Sequence, residues 1–252
     1  GRRNASSAFV REAIDKGVEM FNWAERQQRS GQRRGSKVTG LGVALSTFNA
    51  GSSGMDGLLT LRPDGRLYIQ SGIGNLGTES FSDTPRAAAE ALDMPWDKVE
   101  VIWGNSSKHL PWSAVQGGSQ TTHAHTRANW AAGLDAKRKL QEIAARDLGG
   151  SPDDYEVANE RVYRRGNRSQ GLSFARAAQR AIQLGGRYDG HELPEDINGM
   201  TTTSATALAG QGLMGVAKDN FPLGGSLMSF VAGFAEVEVD IETGDVTILR
   251  YS

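Results

Sequence analysis

Two short stretches combine glycines and hydroxyls in the way a phosphate-bearing ligand requires. Gly117-Gly118-Ser119-Gln120-Thr121-Thr122 runs directly into an alanine-rich segment with helical character. Backbone N–H groups and the positive end of a helix dipole favour an anion there, and the serine and threonine hydroxyls add donors. The competing reading is an ordinary helix N-cap. Residues 71–80, SGIGNLGTES, repeat the chemistry. Gly72, Gly74 and Gly77 let backbone approach a ligand closely, while Asn75, Thr78 and Ser80 offer polar contacts. This run matches the dinucleotide-binding fingerprint only loosely, and the antiparallel hairpin ahead of it argues against a Rossmann βαβ unit. Two such loops in one unit point to one extended anionic ligand.

Other chemistries find less support. His123 and His125 suggest a metal pair, but residues two apart on a helix point about 200° away from each other. They are expected to cap or line the first helical turn rather than to bind an ion. There is no Gly-x-Ser-x-Gly and no Ser/His/Asp set with a telling spacing. Glu236, Glu238, Asp240 and Glu242 alternate along one strand and read as a solvated strand face. Trp96, Trp103, Trp112 and Trp130 flank the two loops in sequence and read as core or pocket wall.

Composition narrows the classes further. The chain has 252 residues, 32 glycines and 38% hydrophobic residues, enough for a substantial core in a turn-rich fold. No apolar run approaches the roughly 18 residues of a membrane helix. Lys+Arg 28 against Asp+Glu 29 leaves no global field to attract nucleic acid. With zero cysteines, the chain itself holds no disulfide, thiolate ligand or iron–sulfur cluster. Such a chain suits cytoplasm and periplasm alike.

The elements that must position the loops are legible in part. Residues 6–21 show a helical face (Phe9, Val10, Ala13, Ile14, Val18, Phe21) with Ser6 or Ser7 as cap. Residues 1–37 hold nine Lys/Arg against four Asp/Glu and read as a basic, solvated linker. GLLTLRPDGRLYIQ, 57–70, is a hairpin around Pro63-Asp64-Gly65, followed by a helix near Pro85 and a strand at 99–103. A long helix is expected from about Thr122 to Ala145, closed by Gly149-Gly150. A second short hairpin and a helix closed by Gly185-Gly186 follow. Residues 187–215 show little periodicity, and a stretch of that kind is usually functional or covered. A last hairpin alternates Ala235, Val237, Val239 and Ile241 and returns after Gly244. The fold class is therefore α+β: antiparallel hairpins packed with helices, in two successive hairpin-helix units.

Four runs carry a resemblance when taken in order: GLLTLRPDGRLYIQSGIGNLGTESFSDTPRAAAEAL, VEVIWGNSSKHLPWS, GGSQTTHAHTRAN and GFAEVEVDIETGDVTIL. Together they resemble the molybdopterin-binding large subunit of the xanthine dehydrogenase and aldehyde oxidase family, from roughly Phe21 to Ser252. The resemblance implies a molybdenum ion held by the dithiolene of a molybdopterin, in the cytosine dinucleotide form, so that no protein residue ligates the metal. It places Gly72, Gly74, Asn75, Gly77 and Thr78 against the pterin. Gly118, Ser119, Gln120, Thr121 and Thr122 would receive the pyrophosphate. It further implies hydroxylation of a small aldehyde or electron-poor heterocycle. Electrons would leave to iron–sulfur clusters on a partner subunit, with a flavin or cytochrome subunit beyond.

The sequence departs from that pattern in two places. Relatives carry Gly-Gln-Gly in the first loop where this chain reads Gly74-Asn75-Leu76-Gly77, so Asn75 stands in place of a longer amide. The family's glutamate base lies in a Gly-x-Gly-Glu motif, and that motif is absent from these 252 residues, as are the upstream glycine and arginine loops. The catalytic residues are accordingly unassigned. The chain reads as an internal portion of the large subunit: 1–40 a helix and basic linker, 41–150 the first cofactor-binding unit, 151–252 a second unit truncated at its C-terminus. The rival reading is a non-catalytic α+β module that binds phosphate or a partner protein.

Overall fold

A computed structural model describes residues 9–51 and 53–252. In chain order the elements begin with α1 (Val10–Phe21), α2 (Trp23–Gln27), β1 (Arg33–Arg34), β2 (Lys37–Ala50), β3 (Asp56–Leu61) and β4 (Leu67–Gln70). Next come α3 (Ser80–Asp83), α4 (Arg86–Ala91), β5 (Val99–Ile102), α5 (Thr126–Leu148), β6 (Tyr155–Ala158), β7 (Arg161–Arg164) and β8 (Asn167–Ser173). The last are α6 (Phe174–Leu184), α7 (Gly199–Leu208), β9 (Leu213–Lys218), β10 (Leu227–Asp240) and β11 (Val246–Tyr251). The fold is α+β, and its two hairpin-helix units are β3–β4 with α4 and β6–β7 with α6. The serine caps expected for α1, Ser6 and Ser7, lie outside the described residues.

Two compact units emerge: residues up to Ala50 together with Leu223–Ser252, and Gly51–Pro222. This division is not sequential, so it does not follow boundaries at 40 and 150. In the second unit the sheet order is β5-β4-β3-β9. Asp64 shapes the β3–β4 turn: its Oδ1 accepts the Arg66 N–H at 2.9 Å, and its Oδ2 accepts the Tyr68 hydroxyl at 2.8 Å. β4 then pairs in parallel with β5, reached through α3 and α4. The sequence suggested only the antiparallel hairpin; the crossover occurs as a single parallel pair in an otherwise antiparallel sheet.

The two faces of that sheet bury different layers, as strand alternation dictates. Leu59, Leu61, Leu67 and Ile69 pack on Ala132, Ala136, Leu140 and Ile143 of α5. Leu58, Met214 and Val216 face Ala205 and Leu208 of α7. Close approach to α5 depends on absent side chains. A Cβ on Gly57 would stand 2.2 Å from the Ala128 carbonyl oxygen, and one on Gly215 2.5 Å from that of Ala132. The small sheet β6-β7-β8 and α6 extend the α5 core through Tyr155, Val162, Leu172, Phe174 and Ala177.

The first unit corrects two expectations. The basic stretch is largely exposed, but from Trp23 onward it forms α2, β1 and the start of β2 and is not an unstructured linker. β2 pairs with β10 over fourteen residues, from Lys37 opposite Asp240 to Ala50 opposite Leu227. Nor is the acidic row simply solvated: Glu236 is only 4% exposed. It takes a salt bridge from Arg26, with Arg29 at 3.5 Å, while Glu238 meets Lys37 at 2.9 Å. Phe21, Trp23 and Phe234 pack their rings beside that pair.

Candidate functional site

The first glycine loop leaves β4 and is held by a segment 40 residues further on. Ser71 continues the β ladder, its N–H donating to the Ile102 carbonyl at 2.8 Å. At Gly72 a Cβ would stand 2.3 Å from the Pro111 carbonyl oxygen, so only glycine fits, and the Gly72 carbonyl accepts the Ser113 hydroxyl at 2.9 Å. Gly74 is gripped from one side by the Gln116 carboxamide. Gln116 Oε1 accepts the Gly74 N–H at 2.8 Å, and Nε2 donates to the Gly74 carbonyl at 2.9 Å. The Asn75 side chain is engaged within its own loop, accepting from the Gly77 N–H at 2.8 Å and donating to Glu79 at 3.1 Å. Thr78 and Ser80 share a hydroxyl–hydroxyl bond of 2.9 Å.

The second loop has two consecutive left-handed residues, Gly118 at φ +59° and Ser119 at φ +52°. A serine there costs about 1–2 kcal/mol relative to a right-handed conformation, a strain that functional loops commonly carry. The Gly118 carbonyl accepts the Gly51 N–H at 3.0 Å, and Gln120 Nε2 donates to the Val115 carbonyl. Thr121 is buried and Thr122 exposed. The residues Thr121–His125 form a single π turn before α5 begins at Thr126, so the helix starts in a wider coil than expected. Among the described residues, the N–H groups of Gly117, Gly118 and Ser119 meet no protein acceptor. A Cβ on Gly117 or Gly77 would meet no atom within 4 Å.

Gln116 thus brings the two predicted loops together, and a deeper contact fixes the elements behind them. Thr84, just past α3, places Oγ1 2.8 Å from His125 Nδ1. His125 is 1% exposed, and burial pushes its pKa down from 6.5 to about 4. Asn129 Nδ2 donates to the His125 carbonyl at 3.0 Å. His125 is therefore a neutral packing residue inside the turn. Among the described residues no cluster of three His, Cys, Asp or Glu could hold a metal ion.

Of the four tryptophans, Trp112 and Trp130 line cavities, Trp96 packs against the core, and Trp103 is partly exposed. Trp103 stacks on Phe81 at 4.1 Å between ring centroids. Trp112 joins Gly72, Leu110, Ser113, Met200 and Ser204 around a cavity of about 530 Å³. Trp130 lines a second cavity with Arg127 and Phe221. Sequence reasoning missed Gln116, Ser113 and Thr84. Each acts on a residue about 40 positions away, so no local pattern marks it.

The residues fit a hydrogen-bonding, phosphate-bearing group. They supply backbone donors directed at no protein acceptor and open space beside two glycines. They also include a buried Ser71 hydroxyl and Gln70 amide without partners. The chain matches the molybdopterin cofactor-binding domain model over residues 16–252, and it belongs to that family. The aldehyde oxidoreductase molybdenum-binding subunit of Escherichia coli is 31% identical over 189 residues, covering 73% of this chain and 25% of that protein. A probable hypoxanthine oxidase of Escherichia coli is 26% identical over 251 residues, covering 98% of this chain and 23% of that protein. The chain spans about a quarter of the length of these relatives. Reconstituted CO dehydrogenase from Oligotropha carboxidovorans shares the fold, with a TM-score of 0.55 at 18% identity, over 98% of this chain and 30% of that one.

Proposed function

We propose that this chain is the part of a molybdenum hydroxylase large subunit that cradles the pterin cofactor in its cytosine dinucleotide form. The observation that carries the reading is the junction of the two glycine–hydroxyl loops through Gln116 and Gly74. In this reading Gly72, Gly74, Asn75, Gly77 and Thr78 lie along the pterin. Gly118, Ser119, Gln120, Thr121 and Thr122 receive the pyrophosphate. When bound, the cofactor supplies the molybdenum and the two-electron oxidation chemistry.

The protein's part is binding and orientation. Preorganised N–H groups at 117–119 complement phosphate charge without reorganising, and the helix dipole of α5 adds to them. Gly77 keeps a side chain out of the open space beside the first loop, while Gly72 and Gly74 let that loop pack closely on Pro111, Ser113 and Gln116. The substrate in this reading is a small aldehyde or N-heterocycle, and the acid–base residue comes from elsewhere in the subunit. Iron–sulfur clusters of a partner subunit accept the electrons, with a flavin or cytochrome subunit beyond.

The experiment is molybdenum, pterin and cytidine-nucleotide analysis of the complete enzyme, native and with Gly74→Val or Ser119→Ala. The native enzyme is expected to carry all three in equal amounts, and each variant to lose about tenfold in retention, the equivalent of roughly 1.4 kcal/mol. A native enzyme without molybdenum, or variants that load fully, would overturn the reading.

A further inference from the structure

We infer that Gln116 is the positioning residue of this site, setting the spacing between the two loops so that a single ligand meets both. The inference rests on the cofactor reading above and adds to it a residue outside both loops' ligand-facing sets. Gln116 immediately precedes Gly117, the first residue of the second loop. Its carboxamide bonds both the N–H and the carbonyl of Gly74, the midpoint of the first, at 2.8 and 2.9 Å. A side chain that pairs with both polar groups of one residue acts as a strand partner would, fixing distance and orientation together.

Only an amide of this length does so. Glutamine presents one donor and one acceptor in a plane, matching the acceptor and donor of Gly74. Asparagine is one methylene shorter. Ionised glutamate presents two acceptors, one of which would face the Gly74 carbonyl. The segment carrying Gln116 is tied on its other side by Gln120, which donates to the Val115 carbonyl. Ser113 adds a third tie, to the Gly72 carbonyl at 2.9 Å. Gln116 is therefore anchored on a braced segment, and a displacement of its head group moves Gly74 rather than the second loop.

The test uses the complete enzyme with Gln116→Ala and Gln116→Glu. Amide hydrogen exchange across residues 72–78 is followed in cofactor-free protein, and cofactor release by molybdenum and pterin remaining after dialysis between pH 4 and 8. Gln116→Ala is expected to speed exchange at Gly74 and cofactor release by about tenfold each at every pH, the equivalent of one to two lost hydrogen bonds. Gln116→Glu should match Gln116→Ala at pH 8 and approach the native enzyme toward pH 4, because a carboxyl of ordinary pKa, about 4.3, then takes up a proton and regains the donor. Glu79, which accepts from Asn75, and His125 behind the loop are common to all variants, so each profile is read as a ratio to native. Unchanged exchange at Gly74 in Gln116→Ala overturns the tether. Unchanged release, or a pH-independent Gln116→Glu profile, overturns its role toward the ligand. A native enzyme free of molybdenum removes the cofactor reading instead, while the exchange arm still decides the tether.

Discussion

Thr84 and His125 meet through a 2.8 Å bond between Oγ1 and Nδ1, joining the end of the first loop's short helix to the turn that follows the second loop. The Thr84 hydroxyl also donates to the Ser80 carbonyl at 2.7 Å, and Asn129 Nδ2 approaches the same ring nitrogen at 3.1 Å. Burial keeps the ring neutral, and protonating it would place a charge in the core.

The consequence is an acid-labile junction. Burial holds the His125 pKa near 4, against 6.5 for an exposed imidazole. Between those values the unfolded chain binds more protons than the folded one, so stability rises with pH across the window. The contribution is complete above about pH 6.5 and is lost as pH falls toward 4, amounting to about 3 kcal/mol. Urea midpoints measured from pH 4 to 8 should fall on acidification, with a shallower slope in His125→Asn. Equal slopes in the two proteins would show that His125 is not the titrating group.

Glycines that look alike in the sequence should behave oppositely on substitution. Gly57→Ala places a methyl 2.2 Å from the Ala128 carbonyl oxygen, where both β3 and α5 are backbone and neither can yield locally. The expected loss is about 2–3 kcal/mol, read as a lowered urea midpoint. Gly117→Ala meets no atom within 4 Å and does not require a positive φ. Its midpoint should stay within about 0.5 kcal/mol of native. A stable Gly57→Ala protein would mean that the strand and helix can separate without cost.

The parts of this architecture that could be read from the sequence are those specified locally. Asp64-Gly65 marks the β3–β4 turn, Gly149 closes α5, and alternation marks β10 and β11. The β2–β10 pairing was hidden because it joins segments about 190 residues apart, and nothing in KVTGLGVALSTFNA names its partner. Helix α7 was hidden for another reason. Its run GMTTTSATAL is small and hydroxyl-rich, so it gives no apolar stripe. Thr202, Thr203 and Thr206 instead return their hydroxyls to carbonyls four residues back. At the site, glycine and hydroxyl content identified both loops, but the groups that hold them together depend on tertiary contact.

Glu236 offers the clearest test of the first unit. Its carboxylate is 4% exposed and sits between Arg26 and Arg29. Arg26 is itself fixed, its Nε donating to the Phe21 carbonyl at 2.7 Å and its guanidinium lying 5.2 Å from the Phe21 ring centroid. Glu236→Gln keeps the shape but removes the charge, leaving a largely buried guanidinium without its counter-ion. That should cost about 3 kcal/mol, most of it through Arg26, because the half-exposed Arg29 contributes under about 1 kcal/mol. Removing both charges at once separates the two origins of the effect. If desolvation dominates, Arg26→Met combined with Glu236→Met should recover much of the loss, since apolar pairs of similar volume often replace buried ion pairs without penalty. A double-mutant cycle in urea distinguishes the cases. Losses that simply add would show that the two side chains stabilise the unit independently, and the salt bridge would then have no coupling energy of its own.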